Sequence, residues 1–445
     1  MGRNIKAIDD TNVLVVGSVH DGPKTLRDMC ATTLEPLGRA PLKKSNSDAK
    51  RQRLICNGED EEGKKTCTWQ CNSVLVEAKE GEQSSRHKVT KYVTEHTCTA
   101  PPAKSRIRRP SSTSSKPTKA KKIIFDTDIG IDDAMAAVFA IASPEIDLVA
   151  MTTVFGNATV ENATRNALHV KDKFKLTNTV IAKGTNKPIV NAYVDPTVMV
   201  HGIAGLGDVD VPVSTTCEAI DTPAYQYIID SLKADPNNIT LVAVGPLTNL
   251  ALALAACPEI TKLVKEVVIM GGAFGLNEAY GNKTSCAEAN VYLDPHAADK
   301  VFTADWPVVI VGLDVTQKCI FTHDFIDNLR TTAGEMGQFV WDVSRFYLKF
   351  YSEIVGLTKG CHVHDPSAIA YVIKPDLFTL RKGPVRVVCE GVAAGLTIQK
   401  LDRKRYHVDN WSPHRAQCVA VDVCNEELVE LYRSTLVAYA KKQTE

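Results

Sequence analysis

The stretch KKIIFDTDIGIDDAMAAVFAIA, residues 121–142, decides how this chain is read. It begins with a short β-branched run, IIF at 123–125, passes through Asp126, Asp128, Asp132 and Asp133, and closes in an apolar segment with helical spacing. A strand running into a helix through a turn is the βα unit of an open parallel sheet, where ligands bind outside the carboxyl ends of the strands. Four carboxylates this close repel one another unless a cation neutralises them, and hard oxygen donors favour Ca²⁺ or Mg²⁺ over zinc. Asp132 and Asp133 equally suit the first turn of the helix, facing the positive end of its dipole. The cluster alone leaves both readings open.

Working outward, IDLVAMTTV (146–154), ITLVAV (239–244), EVVIM (266–270) and WPVVIVG (306–312) are near-continuous apolar runs, as strands buried on both faces should be. Between them DDAMAAVFAIA, VENATRNALHVKDKF, TPAYQYIIDSLKA, PLTNLALALAA and DPHAADKVF carry helical periodicity. Strand and helix in alternation predict an α/β fold, a doubly wound and mostly parallel open sheet, over residues 122–445. Residues 99–121, rich in proline, serine and basic residues and poor in apolar ones, read as a linker, and 1–98 as a separate small module.

The 445-residue chain carries 52 basic and 52 acidic side chains, so its sum points to no partner. The distribution is informative: residues 1–120 hold about +8 and the remainder about −8. The N-terminus lacks the apolar core of a signal peptide and no stretch approaches a membrane span, so the expectation is a protein that is not secreted and works in the cytoplasm or nucleus. In that setting the 13 cysteines read as reduced core residues or metal ligands, and the eight from Cys217 to Cys424 as plain core.

Beyond the linker the chain resembles the inosine-uridine nucleoside hydrolase family. The motifs that carry the resemblance are DTDIGIDDA, FGNATVENATRNAL (155–168), VHGIAGLGD (200–208), VAVGPLTNLAL (242–252), VVIMGGAF (267–274), AEANVYLDPHAA (287–298), VGLDVT (311–316) and VHDPSA (363–368), in that order. The resemblance implies calcium-dependent hydrolysis of the N-glycosidic bond of ribonucleosides, to ribose and free base. It implies a Ca²⁺ bound by Asp128, Asp133, Asp365 and the Val244 carbonyl, with Asp128 taking a proton from the attacking water and Asp126 buttressing it. Asp132 is expected to hold a ribose hydroxyl, joined by Asn157, Asn282, Glu288 and Asn290; without the resemblance, Glu288 and Asn290 read as polar residues ahead of a strand. His364 matches the position that protonates the leaving base, and an imidazole suits that task near neutral pH. His201, Met270, Tyr347 and Tyr351 fall where relatives contact the base. The loop GGAFGLNEAYG is about four residues longer than usual, and histidine before Asp365 with glycine after His201 resembles the broad or pyrimidine-tolerant branch. Relatives are dimers or tetramers, so a homo-oligomer is implied.

In the N-terminal module Cys56, Cys67, His96 and Cys98, with Cys71 as an alternative, have the ligand types that zinc prefers, and SVLVEA and KVTKYVT read as paired strands. This stretch resembles zinc-binding, DNA-binding domains of the WRKY and GCM type that precede some Mutator-like transposases. The resemblance implies Zn²⁺ and DNA contact, which the positive charge suits. A second reading of the whole chain is a DNA-binding regulator whose hydrolase-fold domain senses nucleosides or is inert. The intact set Asp128, Asp133 and Asp365 speaks against it.

Overall fold

The computed structural model describes residues 119–445, apart from 213 and 215, together with the backbone of five strands nearer the N-terminus. The chain divides into two compact units, Met1–Lys116 and Pro117–Glu445. In the first, Lys6–Ile8, Val13–Val16, Arg51–Glu59, Lys65–Glu77 and Lys88–Lys91 form one sheet in that order. SVLVE of the first expected run and KVTK of the second fall on its last two strands, paired antiparallel with Val76 opposite Val89, and the rest of both runs lies outside the described residues. In backbone register Cys56 stands opposite Trp69, Cys67 opposite Gly58 and Cys71 opposite Leu54. His96, Cys98 and most of the linker lie outside the described residues.

The second unit is built on eight strands: β1 (Lys121–Thr127), β2 (Ile146–Thr153), β3 (Val180–Ala182), β4 (Ile239–Ala243), β5 (Glu266–Met270), β6 (Val308–Val311), β7 (Phe378–Gly383) and β8 (Gln417–Val423). Their spatial order is β7-β8-β6-β5-β4-β1-β2-β3. All neighbours are parallel except the edge pair β7–β8. The five expected strands all enter this sheet, and the expected helices appear as Ile131–Ala142, Val160–Lys173, Ala224–Ala234, Thr248–Ala256 and Pro295–Thr303.

The burial of β1 shows why the sheet is wound on both sides. Ile123 and Phe125 enter one core with the helix Ile131–Ala142, while Ile124 enters the other with Leu250 and Leu254 of Thr248–Ala256. A strand covered on both faces needs apolar residues at successive positions. The chain leaves β1 towards β2 and β3, then returns to β4 on β1's other side. The ends of β1 and β4 therefore open a crevice at the point where the winding reverses, with Asp126 paired to Ala243 at its floor. Among the described residues no helix is long and apolar enough to cross a membrane. The cysteines correct one expectation: of the eight from Cys217 to Cys424, Cys257, Cys319 and Cys361 are buried, four are half-buried, and Cys424 is exposed just before the final helix.

Candidate active site

β1 ends by delivering Asp126 into a buried cradle. Its Oδ1 accepts hydrogen bonds from Thr152 Oγ1 at 2.6 Å and Asn249 Nδ2 at 2.8 Å. Its Oδ2 has no partner, and burial pushes the carboxyl up to about 7. Two residues on, Asp128 Oδ2 accepts the Asn157 backbone N–H at 2.6 Å, while Oδ1 is buried without a partner. The chain passes so close to this carboxylate that a Cβ on Gly245 would lie 2.8 Å from Oδ1, and one on Gly156 would lie 2.0 Å from Oδ2. Only glycine fits at either place.

Asp133 bears out the capping reading of the aspartate cluster. Its carboxylate accepts Gly130 N at 2.8 Å, capping the helix Ile131–Ala142, and also Thr127 Oγ1 at 2.6 Å and Asn157 Nδ2 at 2.9 Å. Asp365 arrives at the start of the helix Asp365–Ile373. One carboxylate oxygen from each of Asp132, Asp133 and Asp365 lies within 4.8 Å of the other two. Asp132 Oδ1 and Asp365 Oδ2 have no partner. Burial, then the neighbouring carboxylates, drives Asp132 up to about 8 and both Asp128 and Asp365 well above the usual range. Buried carboxylate oxygens without donors are costly, and an all-oxygen set of them fits a hard divalent cation. The expected trio was Asp128, Asp133 and Asp365. Asp132 stands with Asp133 and Asp365 in the tight trio, and Asp128 is close enough to Asp133 for mutual repulsion.

The residues expected to hold ribose come together in part. Asn290 Nδ2 donates to the Val244 carbonyl at 2.7 Å and to Met270 O at 3.2 Å, tying the end of β4 to the end of β5. Glu288 does not precede a strand. It caps the helix Ala289–Leu293, accepting from Asn290 N at 2.9 Å and Val291 N at 3.1 Å, with Gly272 N at 3.0 Å as a third donor. These bonds oppose the burial that raises its pKa. Asn282 sits on an exposed loop, its Oδ1 accepting Ala289 N at 2.9 Å, and no hydrogen bond joins it to the carboxylates. The long loop beside it is pinned by Asp314, which accepts Phe274 N at 3.0 Å and Leu276 N at 2.7 Å.

Facing the carboxylates is a wall of rings. Tyr347 Oη donates to Asp132 Oδ2 at 3.3 Å and packs edge-on to Tyr351, ring centroids 4.8 Å apart. His201 is buried in the short helix Val198–His201, and its Nδ1 accepts Ile131 N at 3.1 Å. Burial lowers it to about 4, so it is neutral. His364 hydrogen-bonds Tyr351 Oη through Nε2 at 2.9 Å and Thr316 Oγ1 through Nδ1 at 2.8 Å. Burial, then His362 and His201, lowers it to about 3. Both ring nitrogens are thus engaged in hydrogen bonds within the wall.

Residues 123–430 match the family described as inosine-uridine preferring nucleoside hydrolase. The chain belongs to that family. A probable uridine nucleosidase 2 of Arabidopsis thaliana is 39% identical over 319 residues, covering 71% of this chain and 98% of that protein. An inosine-uridine preferring nucleoside hydrolase of Crithidia fasciculata is 39% identical over 280 residues, 62% of this chain and 87% of the relative. Among solved structures, the plant nucleoside hydrolase PpNRh1 is 36% identical with a TM-score of 0.67, covering 72% of this chain and 99% of that one. A purine-preferring ribonucleoside hydrolase from Gardnerella vaginalis is 33% identical, also at 0.67, covering 72% of this chain and 100% of that one.

Several further residues shape the site of this nucleoside hydrolase. Asn249 lies in the quoted motif VAVGPLTNLAL, yet its side chain joins Asp126, the Thr153 carbonyl at 2.9 Å and Thr185 N at 3.2 Å. Thr127, Thr152 and Thr316 each supply a hydroxyl to a site residue. A lone threonine or asparagine in an apolar run carries no signal of the partner that folding brings to it.

Proposed function

We propose that this ribonucleoside hydrolase cleaves inosine- and uridine-type nucleosides with water, giving ribose and free base, and that Ca²⁺ is its resident cation. The observation that carries the reading is the set of buried carboxylates with partnerless oxygens, Asp128, Asp132 and Asp365, gathered about a fully bonded Asp133 in the crevice. The names of the relatives support the substrate class.

Asp128, Asp133 and Asp365, with the Val244 carbonyl, would hold the cation, and Asp132 is near enough to share it. When bound, it supplies the positive charge that keeps these carboxylates ionised and polarises water. Asp128 is fixed through Oδ2 by Asn157, which leaves Oδ1 to accept a proton from the attacking water. Breaking the ribosyl C–N bond builds positive charge on the sugar ring, and Asp132, Glu288 and the amide oxygens around it stabilise that charge. Asp132, Asn157, Asn282, Glu288 and Asn290 hold the ribose hydroxyls, and holding them in place makes the attack nearly unimolecular. His201, Met270, Tyr347 and Tyr351 surround the base, and His364 acts on it through Tyr351.

Ribose release from inosine, uridine, cytidine, adenosine and guanosine, with Ca²⁺ and after chelation, tests the reading. Calcium-dependent release is expected. A folded protein that binds nucleosides without releasing ribose would instead be a sensor. For the N-terminal module we keep Zn²⁺ on Cys56, Cys67, His96 and Cys98, and contact with DNA, as proposals. Metal analysis of the full chain and salt-dependent DNA binding check them.

A further inference from the structure

The base-side wall contains a chain of hydrogen bonds whose direction can be worked out from one end. Thr316 closes the short helix Leu313–Thr316 that follows β6, and it is fully buried. Among the described residues the only hydrogen bond of its hydroxyl is to His364 Nδ1, at 2.8 Å. A buried hydroxyl proton needs an acceptor. Nδ1 is the one acceptor within reach of that hydroxyl among the described residues, so Nδ1 accepts. The ring proton must then sit on Nε2, which donates to Tyr351 Oη at 2.9 Å. With its oxygen occupied as an acceptor, Tyr351 has its own proton free to donate.

We propose that Thr316 is a positioning residue for nucleoside cleavage: by donating to Nδ1 it holds His364 as the Nε2–H tautomer and so turns the Tyr351 hydroxyl into a hydrogen-bond donor for the departing base. No proton leaves Thr316 or His364. The base departs with the bonding electrons of the C–N bond, and the Tyr351 hydroxyl stabilises the negative charge on it. In the overall balance, one proton lost by the attacking water and one gained by the base cancel. With valine at 316, Nδ1 loses its donor, the Nδ1–H tautomer becomes available, and Nε2 competes for the Tyr351 proton.

This proposal rests on the hydrolase reading and deepens it, so the test uses two substrate types with full-length, Ca²⁺-loaded protein. Uridine and inosine need help with their leaving group. The p-nitrophenyl riboside does not, because p-nitrophenolate leaves as a stable anion. Thr316→Val is expected to lower kcat on both nucleosides about tenfold, the loss of one oriented hydrogen bond, with KM within about twofold and the p-nitrophenyl riboside hardly affected. Thr316→Ser should restore most of the nucleoside rate. In ¹⁵N-histidine spectra the signals of Nδ1 and Nε2 of His364 should move towards a tautomer mixture in the valine variant only. Equal losses on all three substrates would mark Thr316 as merely structural, and unchanged nucleoside rates would remove its role; either overturns the proposal. Wild-type protein inactive on every substrate would overturn the hydrolase reading, and the proposal with it.

Discussion

The two walls of the crevice treat polar atoms in opposite ways. On the carboxylate side Asp126, Asp128, Asp132 and Asp365 each keep a buried oxygen without a donor. On the ring side Thr316, His364 and Tyr351 are bonded in series, and His201 Nδ1 is satisfied by a backbone N–H. Folding alone does not produce the first pattern, because each unpaired oxygen opposes it. The carboxylate wall could hold a cation, whereas the ring wall meets most of its hydrogen-bonding needs from its own groups.

The largest test of this contrast is Asp128→Asn. It should lower nucleoside turnover by about a thousandfold or more while the melting temperature of chelated protein does not fall, since one repelling charge has gone. Ribose release and calorimetry measure both, and full activity in the variant would remove Asp128 as the base.

The second test uses pH. Asp126 and Asp132 are raised to about 7 and about 8, so the folded chain holds their protons more tightly than the unfolded chain does. Below the ordinary carboxylate range both states are protonated and there is no penalty. As pH climbs from there to about 8 the unfolded state ionises first, so stability falls, and it levels off above. Chelated protein should therefore melt at progressively lower temperature across that window, and saturating Ca²⁺ should flatten the trend. A flat profile after chelation would mean the carboxylates are relieved some other way.

Smaller effects sharpen the picture. Asn249→Ala strips donors from Asp126 and Thr153 and an acceptor from Thr185, and should destabilise the domain by roughly 2 kcal/mol in denaturant unfolding. Tyr347→Phe removes a long bond to Asp132, at 3.3 Å. It should change kcat/KM by only a few-fold, and a hundredfold loss would show that the ring wall leans on the carboxylates more than its own bonding implies.

What could be read from the sequence follows the same division. The aspartates announced themselves because four of them lie within eight residues, and β1, β2, β4, β5 and β6 because strands covered on both faces must be apolar throughout. β3 was passed over because three residues are too few to show a period. β7 was missed because its middle is polar and partly exposed at the edge of the sheet. β8 is apolar enough, but its place between β6 and β7 depends on contacts far apart in the chain. Without the resemblance Glu288 reads as a polar residue ahead of a strand, yet its own carboxylate starts a helix there. The Thr316–His364–Tyr351 series joins three separate elements, and no local pattern could reveal it.

The two margins of the eight-stranded sheet have a consequence for how copies of this chain can meet. One margin, β3, offers only three residues of backbone. The other, β7, carries Arg381 and Lys382 and has an irregular register between Thr379 and Leu380. Short, charged or kinked margins are poor templates for adding a further strand. The domain is thereby guarded against growing into a continuous ribbon, and any symmetric assembly it forms should join through helices and loops.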